Sequence, residues 1–150
     1  MLETNYRFYL SFENSLCEDY VTEKFFKPMK YDVIPVVFNG ASDFQSYAPP
    51  HSAINALDFE TPMDLVKHLE KLSQDDALYA SYFWWKDYYE IRDGPKDRAQ
   101  SYCDLCERLN NPDEPPKIYT DMYKWWITDS HCFEYGGAGG KSTIKTPIKL

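Results

Sequence analysis

The sequence predicts an α/β fold in which short parallel strands alternate with helices, and three observations carry that reading. Two apolar runs, residues 8–12 (FYLSF) and 33–38 (VIPVVF), have the length and composition of buried strands rather than of helices. A stretch with helical periodicity follows them at residues 61–72. Turn-forming residues separate the pieces, namely Asn14-Ser15, Asn39-Gly40 and Ala48-Pro49-Pro50.

The first strand ends at Asn14 and Ser15, whose side chains compete for backbone hydrogen bonds in turns. Asp19 or Thr22 then caps a helix that starts near Tyr20 or Glu23. On that helix Tyr20, Glu23 and Lys24 stand at i, i+3 and i+4, so they share one face of the first turn. A helix start offers unpaired N–H groups and partial positive charge, which suit a phosphate. It also lies at the carboxyl end of a strand, where ligands bind in open α/β sheets. By composition alone, an ordinary solvated helix start with a Glu-Lys pair stands equally open. The helix runs toward Lys30 but stops or kinks near Lys27, because Pro28 inside it costs about 3 kcal/mol.

Residues 33–38 form a continuous apolar run that suits a parallel strand covered on both faces. One helical turn over 41–47 and a third short strand over 52–57 come next. Thr61-Pro62 opens a helix, with threonine as the cap and proline at its first position. Leu65, Val66, Leu69 and Leu72 supply its apolar stripe. Asp75-Asp76 starts another helix carrying Leu78, Tyr79, Tyr82, Phe83 and Trp85. The order strand–helix–strand–strand–helix–helix gives an α/β half-domain with right-handed crossovers.

Residues 91–97 read as a linker, and 98–109 as a helix bearing Cys103 and Cys106 on one face. The segment 110–116 breaks that helix, and 118–127 forms a last, aromatic one. The pairs Trp84-Trp85 and Trp125-Trp126 fit a packed core better than a sugar-stacking platform, since they sit at helical spacing among other aromatics. The tail GGAGGKST over 136–143 fails as a phosphate-binding P-loop, because Tyr135 stands where the leading glycine belongs. It reads as a flexible glycine-rich tail.

A chain of 150 residues with 43% hydrophobic and 17% aromatic content can build one real core. A net charge of −8 argues against nucleic acid and anionic membranes as partners. No stretch approaches the length of a membrane span, and no signal peptide is evident. Cys17, Cys103, Cys106 and Cys132 are too few for a disulfide scaffold. Cys103-x-x-Cys106 with His131-Cys132 fits no standard zinc spacing, because adjacent ligands rarely reach one tetrahedral site.

The string FYLSFENSLCEDYVTEKFF, residues 8–26, closely resembles the donor-binding signature of the α1,3-fucosyltransferases, glycosyltransferase family 10. The likeness continues through residues 33–37, Pro49-Pro50-His51-Ser52 and 78–85. It implies the Rossmann-like C-terminal half of a two-domain (GT-B) glycosyltransferase, with a helical C-terminal extension. The expected division is a GDP-fucose-binding domain over 1–90, the extension over 91–135 and the tail over 136–150. The family's donor contacts map onto Asn14, Tyr20, Glu23 and Lys24, all present here. Glu13 and Ser15 read as strand-end and turn residues instead.

The resemblance implies inverting transfer of fucose from GDP-β-L-fucose to GlcNAc of glycoproteins in α1,3 linkage. Cys17 and the segment 82–87 favour the N-glycan core over Lewis-type acceptors. It implies no cofactor or metal at the donor site, and no Asp-x-Asp motif occurs. It places the general base in an N-terminal half that the chain lacks, so no catalytic residue is expected here. The glycan acceptor is likewise expected to dock through that half, and apolar surface to lie open near the cleft. A Golgi lumen location with disulfides follows from the family, with Cys103 and Cys106 as candidates. An inactive fragment, or an α/β interaction module that has lost the ligand, stands as the alternative.

Overall fold

The computed structural model describes residues 2–38, 46–92 and 94–132. After a short helix α1 (Leu2–Asn5), strand β1 (Phe8–Phe12) leads into helix α2 (Glu23–Phe26) and a 3₁₀ turn (Pro28–Lys30). Strands β2 (Ile34–Phe38) and β3 (Ile54–Asn55) complete a three-stranded parallel sheet in the order β1-β2-β3. Phe8 stands opposite Ile34 and Phe12 opposite Phe38, while Val36 and Val37 pair with Ile54 and Asn55. Pro35 is tolerated in the middle strand because β3 pairs only from Val36 onward.

The strand β2 shows why its residues are apolar throughout. Ile34 and Val36 face one cluster with Ile54, Leu72 and Tyr82, whereas Val37 faces another with Phe25, Met29 and Trp85. Alternation along a strand sends successive side chains to opposite faces, and here both faces are covered. Helix α3 (Pro62–Gln74) brings Leu72 to the first cluster. Helix α4 (Asp76–Ala80) and the 3₁₀ segment Ser81–Asp87 deliver Tyr82 to one cluster and Trp85 to the other. Tyr79 donates its hydroxyl to the carbonyls of Arg7 and Asp32, at 2.8 and 2.9 Å, and so ties α4 to the entrances of β1 and β2.

Several expectations change in detail. The helix after the first turn is one turn long, capped by Thr22, and Pro28 converts its continuation to 3₁₀. Tyr20 therefore precedes the helix and does not share its face. The third strand shrinks to two residues, because the Asn55 side chain accepts the Leu57 N–H at 3.2 Å and turns the chain. Val66 is exposed rather than part of the buried stripe. Helix α5 starts earlier, at Pro95, and runs to Asn110.

The expected aromatic helix over 118–127 is not continuous. Asp121 accepts the Lys124 N–H at 2.8 Å, so the helical backbone begins only after it and passes into a π segment, Lys124–Thr128. Of the four tryptophans only Trp85 is core, at 3% exposure. Trp84, Trp125 and Trp126 are exposed, Trp126 by 62%. The turn expected at 41–47 falls largely, and the glycine-rich tail wholly, outside the described residues. Leu10 on strand β1 is 62% exposed, though it is not among the residues that line the cleft beside α2.

Candidate functional site

The site begins with Glu13, the residue after β1. Its side chain is 5% exposed, and its two oxygens accept the Thr22 N–H at 2.8 Å and the Thr22 hydroxyl at 2.7 Å. Thr22 in turn caps α2 by accepting the Lys24 N–H at 3.4 Å. A carboxylate at the end of the strand thus fixes the start of the helix. This is the strand-end role expected of Glu13, and it sets where the next two residues stand.

Lys24 sits between two acids. Its ammonium is 3.8 Å from Glu13 Oε2 and 3.6 Å from Glu23 Oε1, both longer than a direct charged hydrogen bond. Glu23 is exposed. Its own backbone N–H first, and then the Lys24 ammonium, hold its carboxyl below the usual carboxylate range. A charged acid and a charged base therefore stand side by side at the carboxyl end of β1. This arrangement can offer an acceptor to sugar hydroxyls and a cation to a phosphate.

Of the four residues singled out by sequence, Glu23 and Lys24 are brought together at the helix start. Tyr20 is half-buried in the loop before it, and Asn14 is exposed at the loop's other end. Only Glu23 of the four lines the neighbouring cleft, which holds about 770 Å³. Val21, Thr22 and Lys27 share its near wall, and Ile91, Arg92 and Arg98 form its far wall. Sequence reading missed this far wall. It comes from a linker and from the first turns of α5, more than sixty residues away in the chain.

The loop itself is pinned at Asp19, whose backbone is left-handed at φ 56° and whose carboxylate accepts the Tyr47 hydroxyl at 2.5 Å. Cys17 is bonded to Cys132, while Cys103 and Cys106 are free and exposed on α5. The bond that forms is therefore not the one for which the helix cysteines were candidates. Among the described residues no group of three or more His, Cys, Asp or Glu side chains is placed to hold a metal ion. No helix among them is long and apolar enough to cross a membrane.

Residues 1–125 match the family model of glycosyltransferase family 10 (fucosyltransferase), C-terminal region. The chain belongs to this family. Alpha-(1,3)-fucosyltransferase C of Drosophila melanogaster is 44% identical over 129 residues, which cover 85% of this chain and 29% of that protein. Glycoprotein 3-alpha-L-fucosyltransferase A of the same organism is 38% identical over 136 residues, 88% of this chain and 26% of that protein. The chain thus spans under a third of either relative. A crystal structure of an alpha1,3-fucosyltransferase with GDP-fucose shares the fold at a TM-score of 0.51 and 20% identity, over 79% of this chain and 35% of that one. The fold is that of the Rossmann-like C-terminal half of the GT-B glycosyltransferases of family 10.

Proposed function

We propose that this chain is the donor-binding part of an α1,3-fucosyltransferase and that the loop and helix start over residues 13–24 hold GDP-fucose. The observation that carries this reading is Glu13, whose side chain is buried at the end of β1, fixes Thr22 at the helix start and faces the Lys24 ammonium at 3.8 Å. A lysine on a helix start fixed in this way stands where it can meet a diphosphate. In the proposed arrangement Lys24 offsets the charge of the departing nucleoside diphosphate, and Glu23 accepts from ribose or fucose hydroxyls. Asn14 donates to a phosphate oxygen, and Tyr20 packs against the nucleotide and donates its hydroxyl.

The transfer would invert the anomeric centre and pass through an oxocarbenium-like transition state, with a base on the acceptor hydroxyl. Among the residues of the proposed site none is assigned that task, and family likeness places the base in an N-terminal half. The polypeptide alone is therefore expected to bind the donor without turning it over. The proposed acceptor is GlcNAc of glycoproteins, the N-glycan core in preference to Lewis-type chains, in the lumen of the Golgi. Donor binding is proposed to need no metal ion, since a lysine rather than an Asp-x-Asp motif meets the diphosphate.

Calorimetric titration with GDP and GDP-fucose, with and without EDTA, tests the site. Binding that is indifferent to EDTA and lost in Lys24→Ala and Glu23→Ala supports it. No heat at millimolar nucleotide sinks it and leaves an α/β interaction module. Turnover of N-glycan acceptors by this chain alone would refute the assignment of the base elsewhere.

A further inference from the structure

Three contacts join one short segment near the end of the described chain to the loop between β1 and α2. Cys132 is bonded to Cys17 across 115 positions of sequence. The Glu18 N–H donates to the Ser130 carbonyl at 2.9 Å. The Glu18 carboxylate lies 2.8 Å from His131 Nδ1. The backbone is left-handed on both sides of this junction, at Asp19 (φ 56°) and at His131 (φ 45°). Such conformations are uncommon outside glycine, although Asp and His adopt them more readily than most residues, and surrounding contacts hold them in place. Neither Ser130, His131 nor Cys132 lies within the family-matched residues 1–125.

We propose that Ser130, His131 and Cys132 form a clasp that orders the loop over residues 14–22, and that the Cys17–Cys132 bond makes this order redox-sensitive. The proposal rests on the donor-site reading for its functional consequence, because Asn14 and Tyr20 ride on the clasped loop. Without the bond, Glu18 retains one backbone hydrogen bond and one solvent-exposed ion pair to the segment, and exposed pairs hold weakly. The loop would then be tethered at its ends, by Glu13 to Thr22 and by the strand, and in its middle by the hydrogen bond from the Tyr47 hydroxyl to Asp19. Reduction by a dithiol breaks the S–S bond, leaves two thiols on the protein and converts the reductant to its own disulfide.

The test compares the full chain, oxidised and after dithiothreitol, by hydrogen exchange and by GDP titration. Thiol counting verifies the reaction, because free cysteines rise from the two on α5 to all four. The expected result is faster exchange over 14–22 with β2 still protected, and GDP affinity lowered at least about five-fold, the lower end of typical coupling between sites. A Cys17→Ala/Cys132→Ala variant should reproduce both changes. Should that variant fail to fold, the reduced wild-type chain decides alone. Four titrated thiols with unchanged loop exchange would overturn the clasp. So would exchange that rises equally in β2, since the bond would then be a general staple. If the oxidised chain binds no GDP at all, the donor reading fails, and loop exchange still decides the clasp.

Discussion

Strand β2 and helix α5 stand at opposite extremes of one chain. Ile34 and Val36 are wholly buried and Val37 nearly so, whereas α5 carries no buried residue along its sixteen positions. The difference lies in what each element needs from its neighbours. A strand leaves its N–H and C=O groups for adjacent strands and its two faces for covering layers, so β2 exists only as part of the sheet. A helix satisfies its backbone internally. α5 has proline at its start, an Asp97 side chain accepting the Gly94 N–H at 2.9 Å, and Arg108 in its last turn. Local chemistry can hold it in place of a core.

Substitutions in the two regions should separate sharply. Phe25→Ala, in the cluster beneath β2, should cost about 3–5 kcal/mol in urea unfolding, as deep aromatic truncations do. Leu109→Ala on α5, at 75% exposure, should stay within about 0.5 kcal/mol. Equal effects would mean that α5 packs in solution against something that covers it.

The same contrast explains what could be read from the sequence. Both long strands and the Thr61 cap were legible, because apolar runs and caps are local signals. Glu23 and Lys24 were legible as a pair because they are adjacent. What was not legible depends on distance. The register of Trp85 against β2, set by the 3₁₀ segment, decides that it alone of four tryptophans is buried. The far wall of the cleft and the partner of Cys17 come from residues whose approach no local pattern encodes. Tyr20 was placed on the helix face by spacing, but Thr22, held by Glu13, caps the helix so that it starts at Glu23, three residues later.

Between these extremes lies the helix start of the candidate site, where a buried acid does the holding. Glu13→Ala removes the acceptor of two Thr22 hydrogen bonds and a charge facing Lys24. It should cost about 1.5–3 kcal/mol, the range for hydrogen bonds to a charged group. Thr22→Ala should cost about 1 kcal/mol as a lost cap, and so should Thr61→Ala at α3. The two caps are distinguished by coupling. Combined with Glu13→Ala, the Thr22 change should be non-additive and the Thr61 change additive. Additivity at both caps would show that Glu13 does not act through Thr22.

A small effect is expected at the His131–Glu18 pair of the clasp, and it depends on pH. The hydrogen bond to Glu18 first, and then the charge of Glu18, raise the His131 pKa above its ordinary value, with Asp129 adding to the rise and Lys124 opposing it. A histidine whose folded pKa is raised contributes stability that is fully present below its unfolded value of about 6.5. That contribution is lost as pH rises through the folded value. Exchange over residues 14–22, corrected for its intrinsic pH dependence, should therefore be steady below about pH 6.5 and accelerate as pH climbs from there through the raised folded value. In His131→Gln the extra dependence should vanish while the disulfide remains. The exposure of the pair keeps the effect small and salt-sensitive, so high salt should flatten the wild-type profile toward that of the variant. A profile that keeps its slope in His131→Gln would assign the titration to another group and remove this ion pair from the clasp.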